Sequence, residues 1–163
     1  MSEEKKEKLA IVMFSGDLDR ALAGFFLATT AASMGMEVKM FFTFWGLNIV
    51  KKKEGALKSR GILAKMLNII NRGGSNRLTL SKYNFGGLGT WMMKKMMQEA
   101  RVPTIDQFID MAKQMGVEMI TCTTTCGVMG GLDESAFRKE ADVMAGAAYF
   151  LGEAKESKVV LFI

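Results

Sequence analysis

Two cysteines, Cys122 and Cys126, are the side chains best suited to covalent chemistry in this 163-residue chain, which contains no histidine. The lack of imidazole removes the Ser-His-Asp triad, the Cys-His pair and every histidine metal ligand. Two thiols cannot close a four-thiolate zinc site within one chain, so no metal is expected. The chemistry must then come from cysteine, carboxylates, Lys, Tyr, Ser/Thr or a bound group, and no cofactor is expected. Cys122 ends the run Val117–Cys122 (VEMITC), which reads as a strand. In open parallel α/β sheets, ligands bind at the carboxyl ends of strands. Thr123, Thr124, Thr125, Cys126 and Gly127 follow and lead toward a helix. Backbone N–H groups and threonine hydroxyls there suit a thiolate, the nucleophile of sulfur transfer and disulfide exchange. Position alone leaves Cys122 open between a reactive thiol and a small buried apolar residue. Cys126 is open between an assisting thiol and a small residue at a turn, and its spacing from Cys122 is not C-x-x-C.

Other stretches carry weaker signals. Ser15, Gly16 and Asp17 sit between a strand-like and a helix-like run, where they either bind an anion or cap the helix. Gly86, Gly87 and Gly89 precede a helix with no strand before them, which fits a packing turn better than a dinucleotide fingerprint. The interval from Lys51 to Arg101 holds 12 Lys/Arg against 2 Glu, a net +10, while the rest of the chain sums to −5. Its only aromatics are Tyr83, Phe85 and Trp91, too few to interleave with the charge, so no nucleic-acid partner is expected. A solvated basic lid that starts at Lys51, Lys52 and Lys53, or a docking face for an acidic partner, fits better, and peripheral contact with a membrane surface stays open.

These residues need elements to position them. Leu9–Phe14 reads as a buried strand, Leu18–Met34 as a helix closed by Gly35, and Glu37–Thr43 as a second strand. Helices are expected around 57–70, 91–101 and 105–115, then the strand ending at Cys122. A helix over 134–151, stopped by Gly152, and a last strand over 159–163 complete the chain. The alternation predicts an α/β fold, a parallel sheet with helices on both faces, interrupted by a basic, Met-rich helical insertion over about 51–103. The longest uncharged run, 16 residues between Arg20 and Glu37, falls short of the roughly 20 needed to span a bilayer. The charged start MSEEKKEK lacks the apolar core of a signal peptide. Few cysteines and no leader make a cytoplasmic location the expectation.

Four strings resemble one family. LAIVMFSGDLDRALAGFFLATTAASMGMEVKMFFTFWGL, LSKYNFGGLGTWMMKKMM, GVEMITCTTTCGVMGG and AYFLGEAKESKVVLFI are similar to segments of DsrE/DsrF/DrsH-like proteins. The likeness is greatest to a long, Met-rich branch that often carries the label peroxiredoxin. That label does not suit a chain whose only proline is Pro103. The resemblance spans nearly the whole chain. It implies a single domain over 1–163 with a three-layer flavodoxin-like fold, and homo-oligomers such as trimers or hexamers. It also implies sulfane-sulfur trafficking, in which a persulfide or thiosulfonate on cysteine passes to a TusA-like carrier or related sulfurtransferase. The carrier position falls on Cys122. Cys126 has no fixed counterpart, which leaves room for a two-thiol variation. Two other functions remain beside the sulfur carrier: a non-enzymatic oligomer that binds a ligand or membrane surface, and a two-cysteine redox protein.

Overall fold

A computed structural model describes residues 6–52, 61–71 and 73–163. Five parallel strands form one sheet in the order β4-β3-β2-β1-β5. They are β1 (Lys8–Met13), β2 (Glu37–Phe42), β3 (Glu118–Cys122), β4 (Val143–Ala145) and β5 (Val159–Phe162). Side chains alternate across a strand, and the two faces divide accordingly. Leu9, Ile11, Met13, Val38, Met40, Phe42 and Met119 face the larger core under α1 (Leu18–Ser33) and α5 (Ile105–Gln114). Phe25 of α1 stacks on Phe108 of α5 at 6.3 Å and meets Phe42 at 6.4 Å. Ala10, Phe41, Ile120 and Cys122 face the other way, toward α7 (Ala147–Lys155), where Phe150 stacks on Phe41 at 4.8 Å. The three inner strands are buried on both faces, which is why they read as nearly continuous apolar runs. The fold is the expected α/β arrangement of flavodoxin-like type.

The amino edge of the α7 face is charged. Lys39 bonds Glu118 at 2.9 Å and lies within 3.2 Å of Glu37. Burial works against the Lys39 ammonium, but Glu118, Glu37 and Glu153 outweigh it and hold its pKa above the ordinary value. One sheet face thus runs from ion pairs at its amino edge, through Phe41 and Phe150, to Cys122 at its carboxyl edge.

Helix α5 starts at Ile105, as expected. The Thr104 hydroxyl accepts from Gln107 N–H at 3.3 Å, and the Gln107 side chain accepts from Thr104 N–H at 2.8 Å, a reciprocal cap. The expected helix over 134–151 does not form. A short turn at 134–136 is capped by Asp133, the chain then runs extended beside Lys51 and Lys52, and Val143–Ala145 joins the sheet as β4. Arg138 N–H donates to Val50 O at 2.9 Å and Lys52 N–H to Ala136 O at 2.9 Å. These tertiary bonds override local helix propensity. Helix α7 consequently starts only at Ala147, and Gly152 lies inside it.

Between β2 and α5 lie α2 (Leu47–Val50), α3 (Ile62–Ile70) and α4 (Leu88–Glu99). The expected helix over 57–70 is seen from Ile62 onward; its first residues, like Lys53, lie outside the described residues. On α4, Met93 and Met97 pack on the core while Trp91, Met92 and Met96 are exposed. Before it, Gly86 and Gly87 take positive φ, 67° and 106°, in a turn with no strand ahead of it, as its residues suggest.

The junction after β2 is tight. Gly46 N–H donates to Phe14 O at 2.8 Å and to Thr43 O at 2.9 Å, and a Cβ at Gly46 would stand 1.9 Å from Met13 O. No side chain fits between these backbones without moving one of them. Gly46→Ala is expected to destabilise the fold by about 1–3 kcal/mol, as for other overpacked sites. A lowered urea midpoint at unchanged slope would show this; a midpoint equal to the parent's would mean the turn relaxes freely.

Candidate functional site

Cys122 is the last residue of β3 and the residue from which α6 (Thr123–Val128) begins. It is 4% exposed. Burial raises the pKa of its thiol, since an apolar surround disfavours the charged form. Four donors act in the opposite direction: the N–H and hydroxyl of Thr125, the hydroxyl of Thr43 and the N–H of Thr124. The donors prevail, and the thiol lies below its ordinary range.

Two parts of the chain supply those donors, the first turn of α6 and the residue after β2. The first turn of α6 has no intrahelical acceptor for its leading N–H groups; those of Thr124 and Thr125 lie close enough to lower the pKa of the thiol, although Cys122 makes no capping hydrogen bond through its side chain. Thr125 is buried, and its hydroxyl lies 2.9 Å from that of Thr43. Thr43 follows β2, the strand beside β3, and its own N–H bonds Met13 O at 3.1 Å. Of the three threonines singled out by sequence, Thr125 supplies both a hydroxyl and an N–H, and Thr124 only an N–H. Thr123 is exposed and its hydroxyl faces Gly146. Thr43 was not among the candidates. The sequence places it at the end of the second strand, and the structure ends that strand one residue earlier, at Phe42.

Cys126 is a different kind of thiol. It packs in the larger core rather than with Phe41 and Phe150. Burial first, and then the Cys122 thiolate, push it up to about 12, against a smaller pull from the Lys51 ammonium. Both cysteines are free. Lys51, read from sequence as part of a solvated basic run, is 1% exposed. Its Nζ donates to Asn68 Oδ1 at 2.7 Å, and Asn68 Nδ2 donates to Met129 O at 2.8 Å and Ala64 O at 2.9 Å. Burial lowers the Lys51 pKa, with Cys126 opposing.

Ser15, Gly16 and Asp17 follow β1 at the same sheet edge. Asp17 is in the helix-capping position, yet its side chain caps nothing. It accepts the Ser15 hydroxyl at 2.6 Å and pairs with Arg20 at 3.7 Å, while Thr79 O takes the Leu18 N–H at 2.8 Å. The three residues line a polar cavity of about 440 Å³ with Arg20, Asn48 and Arg77, and Cys122 is not part of its wall. The structure therefore does not join this group and Cys122 in one cavity. Among the described residues, no cluster of three or more acidic or cysteine side chains could hold a metal ion. A mainly apolar groove of about 510 Å³ lies on the insertion, lined by Leu80, Tyr83, Phe85, Leu88, Met92 and Met96 among others.

Comparison with known proteins adds a second kind of observation. The family model described as DsrE/DsrF/DrsH-like matches residues 5–162. The uncharacterized protein YrkE of Bacillus subtilis is 39% identical over 160 residues, covering 98% of this chain and 99% of that protein. The sulfur carrier protein DsrE2 of Allochromatium vinosum is 34% identical over 167 residues, again covering 98% and 99%.

The donor set sets an order of reactivity. With its pKa lowered, Cys122 holds thiolate at pH values where an ordinary thiol is protonated, and Cys126 does not. Iodoacetamide is expected to modify Cys122 first, with a pH midpoint lower than that of an ordinary thiol. Thr43→Val should move that midpoint upward. Equal labelling of both cysteines at neutral pH, or an unmoved midpoint in Thr43→Val, would contradict the assignment.

Proposed function

The chain belongs to the DsrE/DsrF/DrsH-like family, and from that premise we propose that it is a sulfur carrier that loads sulfane sulfur onto Cys122. The observation that carries this reading is the Cys122 thiol itself, buried yet held below its ordinary pKa by donors from α6 and Thr43. With thiosulfate as donor, the Cys122 thiolate attacks the outer sulfur. A bond forms between Sγ and that sulfur, the donor's S–S bond breaks, and the electron pair leaves with sulfite. Donors aimed at Sγ before reaction stabilise the anion without reorganising. The resulting persulfide anion carries its charge one atom further out. Attack on its outer sulfur by a thiolate of a TusA-like carrier or related sulfurtransferase returns Cys122 to the thiolate. A thiosulfonate on the same sulfur is the alternative loaded form. Whether the protein turns over as an enzyme depends on that acceptor.

Cys126 is a bystander in this scheme. Pushed to about 12, it stays protonated at neutral pH and offers no second thiolate for disulfide exchange. Assembly into a homo-oligomer, a trimer or hexamer, is supported by the exposed Leu151, Val160 and Phe162 around edge strand β5, since a second copy would bury such apolar surface. A cytoplasmic setting, which keeps thiols reduced, suits the chemistry. Among the described residues no helix is long and apolar enough to cross a membrane. One observation favours the non-enzymatic reading: the apolar groove beside α4 has room for a hydrophobic ligand. That reading requires Cys122→Ser to leave all function intact.

Incubation with thiosulfate, tetrathionate or polysulfide, followed by intact-mass measurement, decides between these readings. The wild type and Cys126→Ser should gain sulfur, and Cys122→Ser should gain none. Failure of every donor to load Cys122 would end the sulfur-carrier proposal.

A further inference from the structure

Helix α3 is built inside out. Its one buried residue is the polar Asn68, while Ile62, Leu63 and Ile70 are 80%, 82% and 82% exposed. Met66, Leu67 and Ile69 are exposed as well. At 3.6 residues per turn these six side chains span an arc of about 160°, centred opposite Asn68. An ordinary surface helix would turn such a face inward.

Helix α3 cannot roll over to do so. Asn68 accepts from the buried Lys51 Nζ and donates to Met129 O and Ala64 O. Rotation would strip a buried ammonium and a buried amide of their partners, at the full desolvation penalty of each. The polar anchor therefore fixes the aliphatic face outward. The surrounding charge narrows what can cover that face. Lys52 precedes the helix, Lys65 lies on it and Arg77 follows it, within the interval of net +10. A second copy of this chain would bring two such intervals together, and like charges oppose that contact. An anionic surface complements them.

We infer that α3 is an interfacial helix that docks on an anionic lipid surface, with Ile62, Leu63, Met66 and Ile70 in the acyl boundary and the neighbouring cations on the headgroups. A broad convex aliphatic face flanked by cations is what a lipid surface receives without a shaped groove. The helix has nine residues, too few to span a bilayer, so it lies in the plane of the surface. Cations near an anionic leaflet add attraction that salt screens. This inference stands apart from the chemistry of Cys122.

The test is cosedimentation of the full chain with vesicles of phosphatidylcholine, alone or mixed with phosphatidylglycerol, at low and high salt. The protein should pellet with the mixed vesicles, stay in solution with phosphatidylcholine alone, and be released by salt. The triple variant Ile62→Ser/Leu63→Ser/Ile70→Ser removes aliphatic surface exposed in the free chain. It should keep the parent's circular dichroism and bind the mixed vesicles about tenfold more weakly or worse. Cys122→Ser should bind as the wild type does, which separates this result from any failure of the sulfur-loading proposal. No binding to mixed vesicles would overturn the inference, as would equal binding by the folded triple variant. A self-association seen by light scattering that the triple variant abolishes, with vesicle binding unchanged, would assign the face to a second copy instead.

Discussion

The site turns on a contest at one sulfur atom. Burial disfavours a thiolate at Cys122, and donors from Thr125, Thr43 and Thr124 favour it by more. Neither side of the contest is local. The burial comes from Ala10, Phe41, Ile120 and Phe150 on the α7 face. The donors come from the first turn of α6 and from the residue after β2. The parallel pairing of β2 with β3 sets Phe42 opposite Thr121, so that Thr43 and Cys122 leave the sheet side by side. Gly46, pressed against Met13 O, permits the chain to turn close enough for Thr43 to stay there. A side chain at Gly46 would thus disturb the acidity of a thiol 76 positions away in sequence through the backbone alone.

Much of the frame was legible from residue order. The apolar runs at Leu9 and Glu37 and the run ending at Cys122 are inner strands, and inner parallel strands have no polar face to confuse the pattern. Gly35 marked a helix end by its conformational freedom. β4 was not legible. Its three residues gain strand geometry only by pairing with β3 at the sheet edge, and the preceding stretch is held extended by Val50, Lys51 and Lys52, about 90 residues back. Thr43, which closes the expected strand, carries no signal in the sequence, because one hydroxyl at a strand end gains a role only once the neighbouring strand is known. Lys51 was misread for the opposite reason. Three lysines in a row look solvated, and only the fold reveals that the first of them faces inward.

Lys51 also links the two ends of the molecule's chemistry. Its Nζ bonds Asn68, which binds Met129 O, and Met129 N–H bonds Thr125 O at 2.9 Å. A chain of hydrogen bonds therefore runs from α3 to the helical turn that holds Cys122 and Cys126. The same contact that fixes the aliphatic face of α3 outward places a cation in the field of Cys126. A buried ammonium with a neutral amide partner is costly and survives only where geometry over-determines it. Here Gly73 leaves room for its stem, since a Cβ there would lie 2.7 Å from Lys51 Cβ. Lys51 offsets only part of the push that burial and the Cys122 thiolate exert on Cys126, so Cys126 stays protonated at neutral pH and Cys122 is the reactive atom.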